Sequence, residues 1–135
     1  MTSFDPYEAV KTIDATLAEG RFEKAVLDYE RHQFAIDAWD AGGVAFRIGN
    51  ILEELGDTEQ AERLYRNAVA ANPGMTPYKQ NLAAILFEAK RYSEAKPFLE
   101  EIVRETTDAY DLRSICLEWL SAITQQELRP NSTKA

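Results

Sequence analysis

Apolar positions recur along this chain at a helical step. In "AGGVAFRIGNILEEL", residues 41–55, Val44, Ile48, Ile51, Leu52 and Leu55 form one stripe of an amphipathic helix. Gly56 stops it in the manner of a helix C-terminal glycine. Asp57 is placed to cap the next helix, with Gln60 three residues on to reach back. "TEQAERLYRNAVAA" then runs to Asn72-Pro73-Gly74, a strong breaker. The same two-helix unit follows in "PYKQNLAAILFEAK" and "SEAKPFLEEIVRE". Pro97 is read there as lying in the first turn, where amides lack intrahelical partners. An earlier unit comprises "DPYEAVKTIDATLAE", opened by Pro6, and "FEKAVLDYERHQFAI". A seventh helix, "DAYDLRSICLEWLSAITQQEL", carries Leu112, Ile115, Cys116, Trp119, Leu120 and Ile123 on one stripe. The tail "RPNSTKA" is expected to be disordered. Its formal glycosylation triplet, Asn131-Ser132-Thr133, is read as chance.

The units are in phase. The alanine after each charged turn is Ala25, Ala61 and Ala95, spaced 36 and 34 residues apart. A period of about 34 residues is that of a helix–turn–helix repeat. Small and large residues alternate at fixed steps. Gly49, Ala61, Ala68, Ala83 and Ala95 would let paired helices approach, while Leu52, Tyr65, Leu86 and Leu99 fill the space beside them.

These residues resemble the tetratricopeptide repeat (TPR) pattern, W-x2-L-G-x2-Y then A-x3-F-x2-A then P. The second unit aligns as Ala45, Ile48, Gly49, Leu52, Ala61, Tyr65, Ala68 and Pro73. The third aligns as Lys79, Leu82, Ala83, Leu86, Ala95, Leu99 and Ile102, with Thr107 in the place of the proline. The first keeps Gly20, Ala25 and Tyr29, but Thr12 and Thr16 stand where large apolar residues are expected. The final helix fits as Leu112, Ile115, Cys116 and Trp119. The resemblance covers roughly residues 5–128. It implies an all-α, right-handed α-solenoid forming one domain over residues 1–128. Its units span about 6–39, 42–75 and 76–107, with a capping helix at about 108–128 and a tail at 129–135. Stacked units bury a continuous core, and about three are needed for stability.

The resemblance also implies a function. In this family the first helices line a concave groove that holds a peptide or a partner helix. Carried over, the groove residues are Phe46, Arg47, Asn50, Glu53 and Glu54 from the second unit, and Gln80, Asn81, Ala84, Phe87 and Glu88 from the third. The final helix adds Arg113, Leu117 and Leu120; the first unit, with weaker phase, adds Tyr7, Val10, Lys11 and Asp14. Asn50 and Asn81 are poor interior helix residues, yet on a groove wall each could donate to and accept from a peptide backbone. Phe46 and Phe87 read equally as groove or packing residues. The carboxylate clamp of chaperone-binding relatives does not fit, because Pro77, Asn81 and Arg47 occupy its key positions. The expected role is a non-catalytic interaction module, an adaptor or small chaperone. The alternatives are a self-assembling scaffold, suggested by Phe4 and Tyr7 in the weak first unit, and a chaperone of the type III secretion kind.

Composition narrows the partners. The net charge is −8, which disfavours phosphate backbones and anionic membranes. Residues 1–62 hold 14 acids and 5 bases, whereas residues 63–135 hold 9 and 10. The acidic half is either a solubilising surface or an attraction for a basic partner. No run approaches a membrane span, and residues 1–20 carry no signal-peptide pattern. With one cysteine, no internal disulfide forms, and a cytoplasmic setting is expected. One Cys and one His provide no zinc spacing; no phosphate loop appears, and no cofactor or metal is expected. Cys116 reads as core, His32 as packed or surface, and Glu53-Glu54 and Glu100-Glu101 as solvated charges, since adjacent helical side chains diverge.

Overall fold

One turn geometry recurs at the repeat spacing. Gly20, Gly56 and Lys90 each take a positive φ, of 78°, 89° and 62°. At each, the following amides reach back into the helix just ended. The Gly56 N–H donates to the Glu53 carbonyl and the Asp57 N–H to the Leu52 carbonyl; Lys90 and Arg91 donate likewise to Phe87 and Leu86. This is the Schellman closure. Glycine adopts it without penalty, whereas Lys90 must hold an L side chain in the left-handed region.

The computed structural model describes residues 3–106 and 110–129. Thr107, the start of the last helix at 108 and 109, and residues 130–135 with the Asn131 triplet lie outside the described residues. Among the described residues the protein is all-α, with no strand. Its helices are α1 (Pro6–Ala18), α2 (Phe22–Arg31), α3 (Gln33–Asp40), α4 (Gly43–Glu54), α5 (Thr58–Ala71), α6 (Thr76–Glu88), α7 (Tyr92–Glu105) and α8 (Tyr110–Glu127). Contacts gather these into an N-terminal unit, Met1–Tyr78, and a C-terminal unit, Lys79–Ala135.

In the N-terminal unit the expected small-against-large packing is present. Gly49 of α4 is buried, and a Cβ there would lie 2.7 Å from the Tyr65 ring of α5. Ala61, Tyr65 and Ala68 are fully buried, so the two backbones close around that ring. Asp57 caps α5 as expected, its Oδ1 accepting from the Gln60 N–H at 3.2 Å. Gln60 reaches back to the Asp57 carboxylate at 2.7 Å rather than to the cap amide. Thr16, in place of a large apolar residue, is buried with its hydroxyl donating to the Thr12 carbonyl at 2.9 Å.

One helix was not foreseen. "FEKAVLDYERHQFAI" does not run through; it breaks at His32 (φ −130°, ψ 32°) into α2 and α3. The buried positions Ala25, Val26, Tyr29, Ile36 and Asp37 keep one helical phase across the break, so periodicity could not reveal it. The break lets α3 pack against α1, α4 and α5. There the Tyr29 hydroxyl donates to both Asp37 carboxylate oxygens, at 3.0 and 2.9 Å. Asp40 then ends α3 and serves α4, accepting from the Gly42 and Val44 amides at 3.1 and 2.6 Å.

In the C-terminal unit α7 packs against α8. Leu99, Ile102, Cys116 and Ile123 are buried. α7 begins at Tyr92, so Pro97 is inside the helix and not in its first turn. The carbonyl it leaves without an amide is that of Ser93, an exposed residue where water can serve instead. Lys79 is buried to 1% exposure, yet its Nζ lies 2.5 Å from Glu105 and 3.4 Å from Glu101 of α7.

Candidate interaction faces

In the N-terminal unit, Tyr7, Lys11 and Asp14 are spaced i, i+4, i+7 and so share one face of α1. All three are exposed. Val10, also expected there, is instead buried with Ile13 in the core. Arg47 of α4 reaches Asp14 at 3.0 Å, both side chains being about half exposed (46% and 48%). At the other end of the α1 face, Tyr7 meets Trp39 of α3 edge-on, with ring centroids 6.1 Å apart. These rings remain 55% and 49% exposed. One face thus combines an open aromatic pair with an ion pair.

The other N-terminal candidates have partners inside the protein. Phe46 is half-buried, its ring 5.8 Å from that of Tyr65 and 4.7 Å from that of Tyr78. Asn50 is half-buried and accepts from the Tyr65 hydroxyl at 2.7 Å. Glu53 accepts from the same hydroxyl at 2.6 Å. Glu53 is therefore not simply a solvated charge; the buried tyrosine recruits it. Glu54 is exposed.

The C-terminal unit places its candidates mainly on α6. Gln80 and Glu88 are exposed, and Asn81 and Ala84 are half-buried. Phe87 stacks on Trp119 of α8, with centroids 4.4 Å apart and planes 8° apart, and meets Tyr92 edge-on at 5.4 Å. Leu117 is 46% exposed. It lies two residues, about 200°, around α8 from Trp119, so the structure does not bring it to Phe87. Arg113 donates to the Val103 carbonyl, and Leu120 is half-buried. Glu101, expected to be solvated, pairs with Lys79.

The group missed altogether is Asp37. It is 9% exposed, and among the described residues no cation pairs with it; its partner Tyr29 also accepts from Asn67 at 3.3 Å. Burial, reinforced by the Asp40 charge and opposed by the Tyr29 hydrogen bond, pushes Asp37 up to about 6. Burial likewise pushes Tyr29 far above its ordinary value. An acid inside the apolar run "FAIDAW" was the available signal. Burial also raises the Cys116 thiol, consistent with a core residue rather than a nucleophile. His32 is exposed and stacks on Phe4, with centroids 4.1 Å apart. Among the described residues no helix is long and apolar enough to cross a membrane, and no cluster of metal-ligating side chains occurs.

Residues 52–114 match the family model described as tetratricopeptide repeat. The chain is also similar to human (Homo sapiens) tetratricopeptide repeat protein 7B. Identity is 33% over 69 residues, which is 51% of this chain and 8% of the length of that protein.

Proposed function

Because the chain is a tetratricopeptide repeat protein, a family whose repeats mediate protein–protein interactions, we propose that it is a non-catalytic adaptor. Its first-helix faces take a peptide or a helix of another protein. The observation that carries this reading is the α1–α4 face of the N-terminal unit. Tyr7 and Trp39 offer an apolar anchor of the kind that dominates interface energies. The neighbouring Arg47–Asp14 pair is exposed, worth about 0–1 kcal/mol by itself, so a ligand's polar groups can replace it at little cost. Glu54 and Lys11 supply further exposed charge. Taken by itself, the C-terminal unit offers Gln80, Asn81, Ala84 and Phe87 on α6 as proposed contact residues, and Leu117 separately on α8. Asn50 acts here chiefly by orienting the Tyr65 hydroxyl.

The test is selection of binding peptides from a displayed random library, followed by titration against Tyr7→Ser with Arg47→Ala. Both side chains are exposed, so the variant should keep its helical circular dichroism. A weakening of about thirtyfold is expected, equivalent to roughly 2 kcal/mol at an aromatic anchor. Unchanged affinity in the folded variant would remove this face from the function.

A second reading, self-association, is favoured by α3. Its outer stripe of Phe34, Ala35, Ala38 and Trp39 is exposed, Phe34 to 85% and Trp39 to 49%. Sedimentation over a hundredfold concentration range, repeated with Phe34→Ser, tests it. A monomer throughout would eliminate it.

A further inference from the structure

The N-terminal unit carries a second concavity that the α1–α4 face does not use. It is an open cleft of about 460 Å³ between α2, the end of α4 and the start of α5, within the range of about 300–1,000 Å³ typical of ligand sites. Its apolar lining includes Val26 and Leu27 of α2 with Leu52 and Leu55 at the end of α4. Val26 and Leu52 are buried, but Leu27 and Leu55 are 62% and 59% exposed. Two large aliphatic side chains therefore stand open at the mouth of an apolar floor.

The charged residues that line this floor have one sign. Glu23, Glu30 and Asp57 line the cleft, and no basic residue does. Arg63 is not itself a lining residue, but it reaches two of them, pairing with Glu30 at 2.8 Å and donating to Gln60 at 3.3 Å. Asp57 also caps α5, its Oδ1 accepting from the Gln60 N–H. The surrounding sequence, residues 1–62, has nine more acids than bases, so the local potential attracts cations. A second copy of this chain, with a net charge of −8, is a poor match for such a rim. An uncharged apolar molecule would leave the rim unused.

We propose that this cleft docks a short segment of a partner protein in which a bulky apolar side chain is flanked by Lys or Arg. The apolar side chain enters between Leu27 and Leu55, and the flanking cations meet Glu23, Glu30 and Asp57. Complementary rim charges of this kind set orientation and encounter rate. The surface is separate from the α1–α4 face, so neither proposal depends on the other.

The test is a titration of the full ¹⁵N-labelled chain with a synthetic peptide alternating Leu with Lys. Two controls replace Lys by Glu, or Leu by Ser. Saturable amide shifts are expected at Val26, Leu27, Leu55 and Gln60, weakening at least tenfold between low salt and 0.5 M salt. Leu27→Ser with Glu23→Gln should weaken binding at least tenfold; both residues are exposed, so the fold should tolerate the change. Tyr7→Ser with Arg47→Ala should leave it unaltered. The proposal is overturned by no saturable shift at millimolar peptide, by equal binding of either control, or by shifts confined to α1 and the Arg47 face. Concentration-dependent dimerisation abolished by Leu27→Ser would instead assign the cleft to a second copy, and would also overturn it.

Discussion

Replacing the buried Asp37 by asparagine should make this protein more stable at neutral pH. In the folded state Asp37 titrates at about 6, against 3.8 for the free side chain. Between pH 4 and pH 6 the folded protein thus holds a proton that the unfolded chain has released. Unfolding releases that proton, so stability falls as pH rises through this window, and the loss is complete above pH 6. A shift of about two units at 1.36 kcal/mol each sets an upper bound of roughly 3 kcal/mol on the loss, since residual solvent screens part of it. Asparagine keeps an acceptor for the Tyr29 hydroxyl, 2.9 Å from the present carboxylate, but carries no charge to desolvate. Its amide brings a donor into the buried site, and an unsatisfied buried donor costs about 1–3 kcal/mol. The net gain at pH 7 is therefore at most about 2 kcal/mol. The assay is urea unfolding followed by circular dichroism, at pH 7 and pH 4, for both proteins. At pH 4 the native carboxyl is protonated and the advantage should vanish or reverse. An Asp37→Asn protein less stable at pH 7, or a difference unchanged between the two pH values, would refute the reasoning. It would mean that the charged hydrogen bond to Tyr29 outweighs the cost of burying the carboxylate.

Three further substitutions test the packing and the turns. Gly49→Ala gains up to about 1 kcal/mol of helix propensity, but its Cβ would press on the fully buried Tyr65 ring. Overpacking costs about 1–3 kcal/mol, so a lower melting temperature is expected, and a higher one would contradict the close crossing of α4 and α5. Lys90→Gly relieves a left-handed residue at the α6–α7 turn. It should raise stability by about 0.5–1 kcal/mol, measured by thermal unfolding; no gain would show that Lys90 is unstrained. Glu101→Gln with Glu105→Gln leaves the buried Lys79 without its carboxylates. A loss of about 2–4 kcal/mol is expected, at the lower end because both acids are part-exposed. Restoration by adding Lys79→Met would confirm the cause, and an unchanged urea midpoint in the double variant would exclude it.

Local chemistry explains which features could be read without coordinates. The turns at Gly20 and Gly56, the Asp57 cap and the buried stripe of α5 depend on residues within one helical turn of each other, and their residue types announce them. The candidate faces were legible only as positions. Arg47 could be placed on the groove side of α4, but its partner Asp14 lies 33 residues away. Phe46 and Phe87 could be assigned to a groove or to packing. Their ring partners Tyr78 and Trp119 come from other helices, so periodicity could not decide between the two.

By itself the sequence determined the helical class, the repeat spacing and the steps at which small residues meet large ones, because these follow from short-range sterics and a helical period. Tertiary structure decided the break at His32, the burial of Asp37 against Tyr29, the recruitment of Asn50 and Glu53 by Tyr65, and the acidic cleft beside Leu27 and Leu55. Each of these depends on which side chains meet across helices, and on how much water is excluded where they do. A periodic pattern records neither quantity.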